Sequence, residues 1–142
     1  MKKILRLACI ATIFITSCTR NVSTPSGSNN NSNGTTVTGN FSITQFTDNN
    51  ASEDKTADFA GYSFQFTADG KIIAIKGSIR VEGTYVQRAS HENEGAKLDI
   101  SFGSDDLKAL NKNWLIVKIT DSEIDLKDDD ATSNEALQFS AL

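Results

Sequence analysis

The sequence is short of the residue types that build most catalytic and metal sites. Its 142 residues include one histidine, two cysteines and one proline. The lone histidine, His91, has no second histidine or cysteine to complete a zinc site, and we place it in a polar surface loop. Phosphate-binding loops, the Gly-x-Ser-x-Gly motif and a histidine-backed nucleophile are also missing. The sequence therefore predicts no enzyme activity, no cofactor and no catalytic or metal-binding residue.

The sequence also lacks an apolar run long enough to span a bilayer. Residues 4–15 form an apolar stretch of about 12 residues after Lys2 and Lys3, whereas a spanning helix needs roughly 20. Positive charge, a short apolar run and small residues in this order are typical of a secretory signal peptide. The stretch ends in Ile15-Thr16-Ser17-Cys18, which resembles the lipobox of bacterial lipoproteins. We predict a lipoprotein signal peptide at 1–17. The alternative is an uncleaved anchor or a first strand.

The lipobox resemblance implies that Cys18 is lipidated. In that family a diacylglycerol is attached to the thiol, the leader is cut before the cysteine, and the new amino terminus is acylated. Two or more acyl chains anchor a protein stably, because each buried methylene adds about 0.8 kcal/mol. Cys9 leaves with the leader, so the mature chain has no disulfide and depends on its core for stability. The predicted membrane partner is lipid, through the acylated Cys18.

The residues that follow Cys18 bear on the destination of the chain. Thr19 stands where an aspartate often marks inner-membrane retention, and no acidic residue occurs before Asp48. Related lipoproteins sent to the cell surface often carry an acidic cluster directly after the cysteine. By this resemblance we favour the periplasmic leaflet of the outer membrane, with cell-surface display as the alternative.

Basic residues are scarce in the predicted mature chain. Loss of Lys2, Lys3 and Arg6 leaves 11 of the 14 basic residues against all 18 acidic ones, a net charge near −7. Such a charge argues against binding to nucleic acid or to anionic lipid headgroups. Residues 18–40 are rich in Ser, Thr, Asn and Gly and have too few apolar groups to pack. We predict a lipidated cysteine and disordered tether at 18–40, with a reach of roughly 25 Å, and one folded domain at 41–142.

Apolar residues alternate with polar ones over most of residues 41–142, which predicts β-strands. Tyr62, Phe64 and Phe66 share one face, and the Asp69-Gly70 turn that follows them predicts a hairpin. Phe46 falls out of phase with the preceding apolar residues, which indicates a bulge. The return strand of this hairpin is residues 71–75, and further alternating runs occupy residues 79–85, 98–102, 124–126 and 137–139.

Two segments depart from simple alternation. Residues 104–111 have Ser104 as a capping residue, acids in the first turn, and Leu107 and Leu110 three apart, which predicts one or two turns of helix. Residues 113–119 have apolar side chains on both faces. We therefore expect a strand that is covered on both sides, with the short helix on one of them.

About eight short strands joined by tight turns predict an all-β fold. The expected form is a small antiparallel eight-stranded meander barrel with one short helix. Such a barrel is either filled by its own side chains or holds one small ligand. Aromatic residues that pack the core or line an apolar cavity would be Tyr62, Phe64, Phe66, Tyr85, Phe102 and Trp114.

The densest acidic cluster comprises Asp125, Asp128-Asp129-Asp130 and Glu135. Calcium prefers oxygen ligands, so the cluster was compared with a calcium-binding loop that begins at Asp128. Ser133 stands where that loop needs glycine, and Phe139 stands where it needs glutamate. We interpret the cluster as a solvated turn between the last two strands, with a weak cation site as the alternative.

The domain resembles the small lipocalin-like domains of many lipoproteins from Gram-negative gut bacteria. Matching pieces are Gly39-Asn40-Phe41, residues 64–71, Gly83-Thr84-Tyr85, residues 98–102, Leu110 with Trp114, and Leu137-Gln138-Phe139. Phe41 stands where that family usually has tryptophan. The resemblance implies a lipocalin-like barrel and small-ligand binding, but no individual binding residue.

These features together predict a monomeric envelope lipoprotein that binds a small apolar or amphipathic ligand. The alternative is a structural or adaptor lipoprotein, with a filled barrel, that binds another envelope protein.

Overall fold

The computed structural model describes residues 36–48, 52–89, 95–130 and 132–142. The predicted signal peptide, Cys18, most of the predicted tether and His91 lie outside these residues. The described residues form nine strands: β1 Gly39–Asp48, β2 Glu53–Asp54, β3 Ser63–Phe66, β4 Lys71–Lys76, β5 Ile79–Arg88, β6 Lys97–Phe102, β7 Asn113–Ile119, β8 Glu123–Asp128 and β9 Ala136–Ala141. Two 3₁₀ helices cover Thr56–Phe59 and Asp105–Leu110. No helix within the described ranges has the length and apolar character needed to cross a membrane.

The strands form one closed antiparallel sheet. Each strand from β3 to β8 pairs with the next one, and β1 pairs with both β3 and β9. The two-residue strand β2 lies outside this ring and pairs only with the end of β1. The predicted eight-stranded antiparallel barrel is therefore confirmed, with β2 as an additional strand. Closure leaves no long unpaired edge on the eight strands.

Local details of the predicted strands are also present. The register of β1 against β9 shifts between Ile43 and Gln45, which is the bulge expected before Phe46. Phe46 is fully buried as a result. The Asp69-Gly70 turn joins β3 to β4, with the Gly70 N–H donating to the Thr67 carbonyl at 3.1 Å.

Because neighbouring strands run in opposite directions, the connections collect at two ends of the barrel. Both 3₁₀ helices and the β8–β9 connection lie at one end, here called the helix end. Residues 36–38, here called the strap, and the β3–β4 turn lie at the other, the strap end. The described chain reaches into the barrel before residue 41, because β1 begins at Gly39 and Val37 is buried.

The helix predicted at 104–111 is present as a 3₁₀ helix, Asp105–Leu110. Ser104 occupies the N-cap position but makes no side-chain capping hydrogen bond. Leu107 and Leu110 are fully buried in the core, so the helix closes the helix end and does not lie outside β7. The other helix, Thr56–Phe59, has no counterpart in the prediction, because four residues are too few to show a helical period.

The prediction that β7 is covered on both faces is wrong. The strand has the predicted bounds, but Val117 on its outer face is 63% exposed. A bulge between Ile116 and Lys118 shifts the alternation by one residue. Ile116 and Ile119 therefore both pack against the core, although they would alternate in a regular strand.

Gly83 on β5 is required by a close approach inside the barrel. It pairs with Phe102 on β6, and a Cβ atom there would lie 2.5 Å from the Phe102 ring and 2.5 Å from the Ser101 carbonyl oxygen. Neither group is a flexible side-chain tip, so the added methyl group would force a shift of the strand.

We expect Gly83→Ala to lower the free energy of unfolding by about 3 kcal/mol, the upper end of typical overpacking costs. Gly103→Ala is the matched control, because a Cβ at Gly103 meets nothing within 4 Å. That control should change stability by less than about 0.5 kcal/mol. Urea titration of both variants measures the difference, and equal effects would contradict the steric argument.

Candidate functional site

The barrel interior is the first candidate site, since it is where a carrier would hold its cargo. All six aromatic residues named from the sequence are buried there. Phe64 contacts Phe102 and Phe139 at ring-centroid distances of 6.4 and 5.5 Å. Phe66 contacts Phe41, Tyr85 and Phe139 at 5.7, 5.2 and 5.4 Å. Most of these pairs are edge-to-face, the geometry that aromatic rings prefer.

The ring contacts reach across the barrel. Phe64 on β3 meets Phe102 on β6, three strands away around the ring of strands. Phe46 on β1 meets Trp114 on β7, also three strands away, at 6.4 Å. Rings from opposite walls therefore occupy the space between those walls. Within the described residues, the interior at these levels is packed with aromatic side chains.

The helix end is closed by side chains from both 3₁₀ helices. Phe59 stacks edge-to-face on Phe46 with centroids 5.2 Å apart, and Leu107 is fully buried. The Trp114 indole N–H donates to the Leu110 carbonyl at 3.0 Å, so the one polar atom of this buried ring is satisfied. This end thus combines apolar packing with a hydrogen bond that holds the second helix to β7.

The strap end is closed by Val37. Its side chain is 2% exposed, whereas its neighbours Thr36 and Thr38 are exposed. The Tyr85 hydroxyl donates toward the Val37 carbonyl at 2.6 Å and lies 2.8 Å from the Thr67 carbonyl. Burial, and to a lesser extent the negative charge of Asp69, raises the pKa of Tyr85. The phenol therefore stays protonated, as donation of its single proton to a carbonyl group requires.

The acidic cluster at the helix end is engaged in ion pairs and turns. Lys112 pairs with Asp128 at 3.3 Å and also with Glu135, and its ammonium group lies 5.7 Å from the Trp114 ring centroid. Burial alone would raise the pKa of Asp128, but hydrogen bonds from the Asp130 N–H, Lys112 and Ser133 lower it overall. The Asp130 carboxylate accepts from the Thr132 N–H at 2.8 Å.

Part of the solvated-turn interpretation of this cluster is wrong. Glu135, the last residue of the β8–β9 connection, is only 9% exposed and pairs with Lys112. Asp125 lies on β8 and accepts a hydrogen bond from Gln138 on β9 at 2.9 Å. Among the residues whose placement is described, no group of three or more His, Cys, Asp or Glu side chains is arranged to hold a metal ion.

Large apolar side chains are exposed at separate places on the outer surface. Val86 on β5 pairs with Asp99 on β6, which in turn pairs with Asn113 on β7. Val117 lies four residues farther along β7 than Asn113, so the two exposed valines do not adjoin. Polar side chains dominate the outer face around β8 and β9, where Gln138 donates to both Glu123 and Asp125 at 2.9 Å.

One solved structure shares this architecture. It is the crystal structure of a DUF4847 family protein from Bacteroides vulgatus, with a TM-score of 0.51 and 16% sequence identity. The match covers 74% of this chain and 93% of that chain. No family model matches the chain, and no curated protein matches it. At this identity the likeness concerns the fold alone, an eight-stranded antiparallel barrel.

Three structural residues were not found by sequence reasoning. Val37 was assigned to the tether, although a lone β-branched apolar residue just before the first strand is a weak signal for packing. Phe59 lies in a segment without periodicity. The side-chain amide of Asn111 takes the place of a neighbouring strand beside Phe102. It accepts a hydrogen bond from the Phe102 N–H at 2.6 Å and donates one to the Phe102 carbonyl at 2.8 Å. No sequence pattern indicates that bond, because it depends on β6 extending beyond β7.

Proposed function

We propose that this protein is an outer-membrane lipoprotein, anchored through acylated Cys18, whose lipocalin-like barrel is a structural or adaptor module for another envelope protein. The aromatic ring contacts across the barrel are the observation that favours an adaptor over a carrier. They occupy the space that a cargo molecule would need. A binding role, performed by a monomer, is proposed in preference to a catalytic one.

The closure of both barrel ends supports the same choice. A carrier needs an open mouth through which its ligand enters, and ligand sites in barrels are generally found there. Here Phe59, Leu107 and Leu110 fill the helix end, and Val37 fills the strap end. The outer face and the loops are then the parts available to a partner.

The location of the partner follows from the proposed anchor. The signal peptide and lipobox favour export and lipidation, and the lack of acidic residues between Cys18 and Asp48 favours the periplasmic leaflet of the outer membrane. A tether with a reach of roughly 25 Å would let the barrel meet a protein that stands clear of the lipid headgroups. Within the described residues, the separation of exposed Val86 and Val117 favours a polar contact surface over an apolar one.

Native mass spectrometry separates the adaptor from the carrier. The full-length protein would be purified from its host membranes in mild detergent, and its native mass compared with its denatured mass. We expect the two masses to agree, because the interior is already filled by rings. A stoichiometric small molecule that is lost on denaturation would overturn the adaptor proposal and identify the cargo of a carrier.

A further inference from the structure

The strap, residues 36–38, folds back over the strap end without being part of the sheet. β1 begins at Gly39, so the strap has none of the ladder hydrogen bonds that hold the strands together. Gly39 has a φ of +126°, a backbone conformation that residues other than glycine rarely adopt. This glycine sets the direction in which the strap leaves β1, and Val37 turns into the core.

The strap is held by a small set of contacts. Val37 contributes the buried side chain, between exposed Thr36 and Thr38. Its N–H donates to the Gln87 side-chain oxygen at 3.4 Å, near the long limit for a hydrogen bond. Its carbonyl accepts from the Tyr85 hydroxyl at 2.6 Å. The barrel beneath is held by hydrogen-bonded ladders on both sides of each of its eight strands.

The position of the Tyr85 hydroxyl lowers the free energy needed to release the strap. A phenol has one proton to donate, and two carbonyl oxygens, those of Val37 and Thr67, lie within 2.8 Å of the hydroxyl. If the strap lifts, the proton can turn fully to Thr67, which stays in place in the β3–β4 turn. The open state therefore leaves no buried hydroxyl without a partner, the usual cost of breaking such a bond.

We propose that the strap is a displaceable closure that opens by itself while the eight-stranded barrel stays folded. The consequence rests on the proposed lipid anchor: a pull transmitted along the tether would act first on Val37 and Gly39. Opening would return residues 36–38, roughly 10 Å of extended chain, to the tether and would uncover the Tyr85 end of the aromatic core. The strap would thus act as an extensible joint between anchor and barrel.

Thiol labelling tests the strap directly, because Cys9 and Cys18 are the only cysteines of the chain. The full chain with Cys9→Ser and Cys18→Ser would be purified in mild detergent with one further substitution. Val37→Cys probes the strap, since cysteine is a small apolar residue that suits the buried position. Thr36→Cys is the exposed control, and Ala74→Cys, at a fully buried site on β4, is the core control.

We expect Val37→Cys to label at least about tenfold more slowly than Thr36→Cys and at least about tenfold faster than Ala74→Cys. Low urea should accelerate the Ala74→Cys reaction steeply and the Val37→Cys reaction weakly, because local opening exposes little surface. Two results would overturn the proposal. Labelling of Val37→Cys as slow and as urea-dependent as Ala74→Cys would mean that the strap opens only with the barrel. Labelling as fast as Thr36→Cys would mean that the strap does not close.

Hydrogen exchange of the unsubstituted chain gives the same answer without a core substitution. The Val37 amide should exchange well before the amides of β3 and β4, and equal protection would contradict an independent strap. Neither measurement depends on lipidation or on a partner protein. A failed strap and a failed adaptor proposal are therefore distinguishable.

Discussion

Phe64→Ala is expected to lower the free energy of unfolding by about 3–5 kcal/mol, the range for removing a buried phenylalanine. Phe64 is fully buried, and its ring contacts the rings of Tyr62, Phe102 and Phe139. Its removal would leave a cavity bounded by strands that are tied on both sides and cannot collapse into it. Urea denaturation followed by the fluorescence of Trp114, the single tryptophan, measures the loss.

Two controls decide whether that loss reports a filled barrel. Val117→Ala removes an apolar side chain that is 63% exposed and should change stability by less than about 0.5 kcal/mol. Benzene should partly restore the stability of Phe64→Ala by filling the new apolar cavity, and should leave the unsubstituted chain unchanged. A loss of unfolding free energy below about 1 kcal/mol, or benzene binding to the unsubstituted chain, would contradict a packed interior and favour the carrier hypothesis.

Cys18→Ser is expected to abolish lipid attachment completely, since the hydroxyl of serine cannot form the thioether that the lipobox resemblance implies. Cells grown with an alkyne-labelled fatty acid should label the unsubstituted protein and not this variant. The protein should also leave the washed membrane fraction or accumulate with its leader uncut, because the acyl chains supply the anchor.

Cys9→Ser provides the matched control for this experiment. Cys9 lies within the apolar run of the predicted leader, so its thiol has no role after cleavage. That variant should be labelled and retained in membranes like the unsubstituted protein. Fatty-acid labelling that persists in Cys18→Ser would overturn the assignment of the anchor, while leaving the packing of the barrel untouched.

Together, the proposed strap and acyl anchor would let the adaptor respond to a mechanical pull on its tether. A partner that binds the outer face of the barrel would load the tether, and the first element to respond would be residues 36–38. The ladder-free attachment of Val37 and the shared proton of Tyr85 make that response separable from unfolding. Loss of the strap contacts would lengthen the connection without dismantling the ring contacts around Phe64.

The sequence was sufficient to predict the strands because most of them bury a single face. Phe64 and Phe66, and Leu98 and Ile100, alternate with polar residues, and this period of two requires an extended chain. The Asp-Gly turn at residues 69–70 set the first hairpin, and the phase break at Phe46 located a bulge. The count of about eight such strands then indicated a barrel, because only closure removes the sheet edges.

Whether the barrel interior is hollow or filled could not be predicted from the alternation of residues. Phe64 and Phe102 have the same alternation whether they line a cavity or meet across it, since the period reports only the face on which a side chain lies. Their contact depends on the register through which β3, β4, β5 and β6 are staggered. That stagger is a property of the closed sheet.

Contacts between distant parts of the chain escaped prediction for the same reason. Val37 and Tyr85 are 48 residues apart, and Phe46 and Trp114 are farther apart still. The sequence by itself determined the strands and the number that close the barrel, because these depend on residue type and spacing along the chain. The same kind of signal predicts the leader and the lipidation of Cys18. Only the tertiary structure decided that the interior is filled, that Val37 is buried and that the outer face of β7 is exposed. Each of these depends on which side chains closure of the barrel brings together.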